Sequence, residues 1–268
     1  MPLREILATY LYDSSVPFIT LGTAHTFSII IFLILLFLVP WSARTYLSEK
    51  QQHILGSCIG ITVAISYLSW PILELLAGTF DIKLHLPFHM CRAANLMIPL
   101  ALVLRSYLAY EIVLFWGLTI IHAVITPDIT QGYPHYHFFR YWLSHQLMII
   151  ALVYATVIYD LRPRMKSVWI SFVSLVIFFL MTIPINILLG ANYFWICGKP
   201  PVHSILDYFG KWPWYILTTA FVALAHFFLF YFIIIFWTRK LEMSKIKQWS
   251  RITSKIIFIE RTHHEIIP

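Results

Sequence analysis

Residues His85–Leu96 read HLPFHMCRAANL, and within this apolar run stand an imidazole, a thiol, a guanidinium and a carboxamide: His89, Cys91, Arg92 and Asn95. Cysteine attacks as the thiolate, and apolar surroundings disfavour that form, so a nucleophilic Cys91 needs a base or a cation beside it. His89 is poorly placed for this. If the helix starts at Leu86, two residues turn it by about 200°, and His89 and Cys91 point to opposite faces. His89 pairs in register with Arg92, and Cys91 shares its face with Asn95 four residues on. The base is expected from another helix, unless Pro87 unwinds the start of this one and lets His89 turn toward the sulfur.

The candidate bases are His145 first and His122 second. Arg92, Asn95 and Asn186 could donate to an oxyanion, and Asp128 or Glu74 could orient the histidine. His89, His122, Glu74, Asn192 and Tyr193 complete the expected substrate pocket. Competing patterns are weaker. YPHYH (Tyr133–His137) offers two loop histidines for a metal, and HHEII near the C-terminus lacks the second histidine of a zincin. No glycine-rich phosphate cradle is present, and the last apolar run has no interior lysine for a retinal Schiff base. Ligation of haem by two of His25, His122, His145 and His226 is opposed by the mid-membrane depth of His226. No metal and no cofactor is expected.

Those groups need a scaffold, and the composition names it. The chain is 60% hydrophobic and only 12% charged, too apolar for an ordinary soluble domain. Apolar runs of roughly 17 to 25 residues, the span of a bilayer core, fall at 17–40, 54–77, 86–105, 110–126, 141–159, 168–190 and 214–237. The expectation is one all-α, polytopic seven-transmembrane-helix bundle with a basic tail, 238–268. No internal repeat or soluble domain interrupts it. The N-terminus, with Glu5 and Asp13 beside Arg4, does not read as a cleaved signal. Cys58, Cys91 and Cys197 show no paired spacing.

Alternate loops carry five Lys or Arg on one side and thirteen on the other, with Arg92 inside a span. The positive-inside rule puts the N-terminus outside and the tail in the cytoplasm of a cell-membrane protein. The tail suits anionic headgroups; nucleic acid is not an expected partner. At a rise of about 1.5 Å per residue, Cys91, His145, His122 and Asn186 all lie roughly 6 to 7 Å below the outer surface, with Glu74 at about 5 Å. Asp128, Asn192 and Tyr193 sit just outside. Ionisable groups inside a membrane default to a functional reading. Any one of them alone is as easily a hydrogen-bonded core group, and the shared depth is what sets this layer apart.

HMC (His89–Cys91), TPD (Thr126–Asp128), LSHQ (Leu143–Gln146), LRPR (Leu161–Arg164), NILLGANYFWICGKP (Asn186–Pro200) and WPWY (Trp212–Tyr215) occur in this order. Together they resemble the YwaF-like family of bacterial integral membrane proteins, related to the animal transmembrane protein 164. The resemblance covers roughly Leu84 to Tyr231 and is most specific over Gly190–Tyr215. It implies a polytopic helical fold. It also implies transfer of a fatty acyl group between phospholipids without acyl-CoA, carried by a membrane-embedded cysteine and a histidine. By motif these are Cys91 in HMC and His145 in LSHQ, the pair that depth and helical face select independently. The rival readings are a transporter, which normally shows repeats or broken helices in both halves, and a lipid-binding protein without turnover.

Overall fold

The computed structural model describes residues 2–200 and 204–264, with side chains to residue 240. The basic side chains beyond Lys240 and the HHEII histidines lie outside the described side chains. The helices are α1 (Leu3–Leu11), α2 (Thr23–Tyr46), α3 (Glu49–Ala77), α4 (Met90–Leu102), α5 (Tyr107–Thr119), α6 (Ile121–Ile125), α7 (Tyr136–Val157), α8 (Met165–Leu189) and α9 (Trp214–His264). Local sequence sets several ends. Ser48 and Gln51 form a capping box at the start of α3, Ser106 caps α5, and Gly78 and Gly190 end α3 and α8 in the left-handed conformation.

Five helical stretches are long and apolar enough to cross a bilayer: α2, α3, Tyr107–Ile125 across α5 and α6, α8, and Trp214–Lys240 of α9. The other two of the seven expected spans differ. α4 has 13 helical residues, about 20 Å against a hydrocarbon core of about 30 Å. The run expected at 86–105 loses its first turn because Pro87 has no N–H to donate and disfavours helix in the residue before it. α7 is long enough at 22 residues, but His137, Arg140, His145 and Gln146 make its first half polar. Of the seven expected spans, the two that fall short are the ones that carry Cys91 and His145. α9 continues through residue 238 without a break, so the segment expected as a basic tail begins as the same helix.

Side-chain bonds to free carbonyls close both ends of the bundle. At one end Arg44 bonds Val157 O at 3.0 Å and Tyr154 donates to Gln52 O at 2.7 Å. There Tyr107 and Tyr110 donate to the carbonyls of Arg162 and Leu161, and Ser167 and Arg164 satisfy the buried Glu111. LRPR is thus a structural corner. At the other end Phe18 N–H bonds Thr130 O at 2.8 Å, and His135 Nε2 bonds Tyr10 O at 2.7 Å. The core between them holds Ile98, Val113, Phe115, Met148, Leu152 and Phe227. Outward faces of α2, α8 and α9 expose Phe37, Leu180, Phe221 and Phe236, the surface that lipid tolerates.

Gly78 makes two demands at the end of α3. Its φ is +71°, and a Cβ there would collide with the guanidinium of Arg4, which bonds Ala77 O at 3.2 Å and Gly78 O at 3.3 Å. Gly78→Ala should therefore lower stability by about 1–3 kcal/mol, mostly through the left-handed backbone. Thermal unfolding in detergent checks this. Adding Arg4→Ala should recover only the steric part of the loss.

Candidate functional site

The late start of α4 changes the setting of Cys91. The first backbone bond of that helix runs from Ala93 N–H to His89 O at 3.0 Å, leaving the N–H groups of Met90, Cys91 and Arg92 without a carbonyl partner in the helix. Cys91 is therefore not a full turn inside a helix that begins at Leu86. It sits in the first turn, at the positive end of the helix dipole. The N–H groups of Cys91 and Arg92 and the charges of Arg92 and Arg140 all contribute to the potential at its sulfur. Pro87 does unwind the chain, yet His89 does not pair with the thiol. Its ring lies 5.5 Å from Tyr193 and 5.2 Å from Trp195, centre to centre.

The non-helical segment leading into α4 is held by side chains. Arg92 Nη1 donates to Leu84 O and Leu86 O. Tyr193 Oη accepts from Leu86 N–H at 2.9 Å and donates to Ile82 O at 2.5 Å, and Tyr67 donates to His85 O at 2.9 Å. Asn186 clamps Tyr193 in turn, with Nδ2 on Tyr193 O at 2.9 Å and Oδ1 on Tyr193 N–H at 2.7 Å. Asn192 binds the N–H groups of Cys197 and Gly198 and the carbonyl of Gly198. Asn186, Asn192 and Tyr193 are thus brought close to the site as its scaffold, with their polar atoms already engaged.

His145 lies on α7, which packs against α4. Its Nδ1 is 2.9 Å from Tyr141 O and 2.8 Å from Ser144 Oγ. Donation of Nδ1–H to the carbonyl leaves Nε2 as the acceptor, the form a general base requires. The ring stacks on Tyr141 at 4.1 Å and 17°. The same tyrosine interacts electrostatically with Cys91, donates to Ala123 O at 2.8 Å and accepts from Asp128 N–H at 3.4 Å. Arg92 and Arg140 act on both the thiol and the imidazole. Among the described residues there is no hydrogen bond between Cys91 and His145. Asp128 is near Arg92, and burial raises its carboxyl above the usual range against the pull of that guanidinium.

Four buried side-chain polar atoms among the described residues lack a partner, and three belong to these two helices: Asn95 Oδ1, Trp142 Nε1 and Gln146 Nε2. Buried polar atoms are nearly always satisfied, so the helices that carry the thiol and the imidazole also hold most of the unmet bonding capacity. Asn95, 2% exposed, lies one turn below Cys91 on its face.

Other expected members lie apart. Glu74 accepts from Tyr12, Trp70 and Thr79 at 3.0, 2.9 and 2.5 Å and lies 3.7 Å from His85 Nε2. His145 is not among its partners. Burial pushes His85 below the ordinary imidazole value, with Glu74 opposing. His122 Nε2 faces His226 Nε2 at 3.1 Å, and His226 Nδ1 bonds Val222 O. The mid-membrane depth expected of His226 does not keep it from His122. His25 is fully buried between Leu21 N–H and Val124 O and stacks on Trp142, a structural histidine. Among the described residues no group of three or more His, Cys, Asp or Glu could hold a metal ion.

Sequence reasoning missed Trp70, Arg140 and Tyr141. Arg92 and Arg140 both lie over the indole of Trp70, at 4.8 and 4.5 Å from its centroid. The available signal was an arginine inside the aromatic stretch FFRYW, which the loop arithmetic counted as a surface charge. A cavity of about 530 Å³ lies between α8, α9 and the 194–196 turn, lined by Phe172, Leu175, Phe179, Trp195 and Leu217 among others. Two of its polar side chains bond nearby backbone: Tyr215 donates to Trp195 O and Thr219 to Tyr215 O. Phe194 and Trp195 both adopt positive φ, 60° and 54°, at roughly 1–3 kcal/mol each for such side chains.

The apolar helices and the polar layer at one end define a multi-pass helical membrane protein. The chain belongs to the TMEM164 family, whose model matches residues 20–231. That match also takes in the first apolar run, which the motif resemblance left out. An uncharacterized protein of Treponema pallidum (strain Nichols) is 25% identical over 190 residues, 68% of this chain and 76% of that protein. No solved structure matches.

Asn186→Ala removes both bonds to Tyr193 and leaves buried backbone groups unmet, a loss of about 1–3 kcal/mol each. Thermal unfolding should fall accordingly, and limited proteolysis should accelerate within residues 191–213. An unchanged melting temperature would remove Asn186 from the scaffold.

Proposed function

We propose that this protein is a membrane acyltransferase that moves a fatty acyl group between phospholipids through a Cys91 thioester, without acyl-CoA. One observation carries the reading: the sulfur stands at a helix N-terminus in the field of two guanidiniums, and the neighbouring helix offers an imidazole whose Nδ1 bonds a carbonyl and leaves Nε2 to accept. Seven crossings, with α4 and α7 completing the count, would place the N-terminus outside and the tail in the cytoplasm of the cell membrane. A phospholipid then enters sideways from the outer leaflet.

His145 Nε2 takes the thiol proton, and the sulfur attacks the ester carbonyl. The oxyanion is met by N–H groups of the first turn of α4 and by the Nδ2–H of Asn95; the unmet Oδ1 of that amide is an acceptor and takes no part in this contact. Collapse breaks the C–O bond, and the imidazolium returns its proton to the departing lysophospholipid oxygen. An acceptor hydroxyl next loses its proton to His145 and attacks the thioester, and the sulfur leaves as thiolate. Water in place of that hydroxyl would give hydrolysis. Asn186 has no free function for the oxyanion, and Asp128 acts on the site through Arg92 and Tyr141. The reading calls for no metal or cofactor. The cavity between α8 and α9, lined mostly by apolar side chains, favours a second reading: a protein that holds or moves lipid without turnover.

Incubation with a labelled phospholipid should leave acyl mass on Cys91 by mass spectrometry. Cys91→Ser and His145→Ala should each lower acyl exchange by about 10²-fold or more. Lipid bound without adduct or lysolipid would favour the second reading, and full exchange in both variants would end the relay.

A further inference from the structure

Arg92 and Arg140 pose a problem that the relay leaves open. Both guanidiniums lie over one indole, and each acts on the other's charge. Among the described residues, ion pairs join His85 to Glu74, Arg162 to Asp160, and Arg164 to Glu111. Neither Arg92 nor Arg140 takes part in one. Charges withdrawn from water are normally paired or otherwise compensated. The nearby acids do not fill this need. Glu74 already accepts from Tyr12, Trp70 and Thr79. Asp128 influences Arg92 from beyond ion-pair distance, and burial disfavours its charged form.

We propose that Arg92 and Arg140, held over Trp70, form the recognition site for the phosphodiester of the phospholipid whose ester reaches Cys91. This rests on the acyl-transfer reading for the ester, but the phosphate contact stands on the paired cations alone. Arginine presents a planar fork of donors that matches phosphate oxygens two at a time. Each fork here is only partly committed. Arg92 uses Nη1 on Leu84 O and Leu86 O, and Arg140 uses Nε on His137 Nδ1. Stacking on Trp70 fixes both guanidiniums and reduces the entropy lost on binding. Only a few covalent bonds separate the phosphate of a glycerophospholipid from its acyl esters. Two cations that act on the Cys91 sulfur therefore put a captured phosphate where the ester lies against the thiol. The N–H groups of the first turn of α4 stay with the sulfur.

The test uses full-length protein in detergent, carrying Cys91→Ser so that no turnover occurs. Binding of a short-chain phosphatidylcholine is compared with that of a diacylglycerol bearing the same chains and no phosphate. The phosphatidylcholine should bind at least tenfold more tightly. Arg140→Gln should abolish that preference and leave diacylglycerol binding unchanged, and Arg140→Lys should retain part of it. Inorganic phosphate at millimolar concentration should compete with the phosphatidylcholine. Thermal unfolding identifies a variant that has lost its fold, and Arg140→Lys then carries the comparison. Equal binding of the two lipids would overturn the proposal, and so would a preference that survives Arg140→Gln. Binding of inorganic phosphate with no phosphatidylcholine preference would overturn it as well, by assigning the arginines to a free anion. Failure of the relay would show as absent acyl exchange in the unsubstituted protein and would leave this binding result intact.

Discussion

Backbone that is not helical has no internal partners, and inside a membrane protein it survives only where protein groups supply them. The segment from Ile82 to His89 is such a backbone, and the candidate site depends on how its bonds are met. Tyr193, Tyr67 and Arg92 serve its carbonyls and the Leu86 N–H. Asn186 and the turn after α8 serve Tyr193. Because these bonds hold the segment, α4 can begin late, and the free N–H groups of its first turn fall beside the sulfur of Cys91. A regular helix from Leu86 would have satisfied those N–H groups internally and taken them from the site.

That dependence separates two kinds of residue that the sequence presents alike. Among the described residues, Cys91, Arg92 and His145 have neighbours that leave chemical capacity over: an Nε2 that accepts no bond, uncommitted guanidinium N–H groups, and a thiol met by backbone N–H groups alone. Asn186, Asn192, Tyr193, His25 and Glu74 are equally polar, yet their atoms are taken up by backbone or by one another. Burial and polarity alone therefore do not distinguish a reactive group from a clamp. The accounting of individual donors and acceptors does.

Much of this was legible in the sequence. Hydrophobic runs located the long helices, and equal depth grouped Cys91 with His145, whose helices do pack together. The missed features have definite causes. Pro87 was recognised as a possible break, but nothing in the periodicity says whether a proline costs a helix one residue or a whole turn. Trp70 and Arg140 come from helices far apart in the chain, and a stack of side chains on one indole leaves no periodic trace. The contact of His122 with His226 escaped because depth counted from span ends assumes level ends. Here α6 is a five-residue helix set off from α5.

Trp195 belongs to two places at once. It forms part of the wall of the apolar cavity between α8 and α9, and its ring rests on His89, the cap residue of α4. Its left-handed backbone, shared with Phe194, fixes the indole in that double duty. Whatever fills the cavity thus presses on the same indole that abuts the threshold of the thiol helix. Occupancy on the lipid-facing flank and the seating of the sulfur are geometrically geared to each other, with a single aromatic ring as the tooth between them.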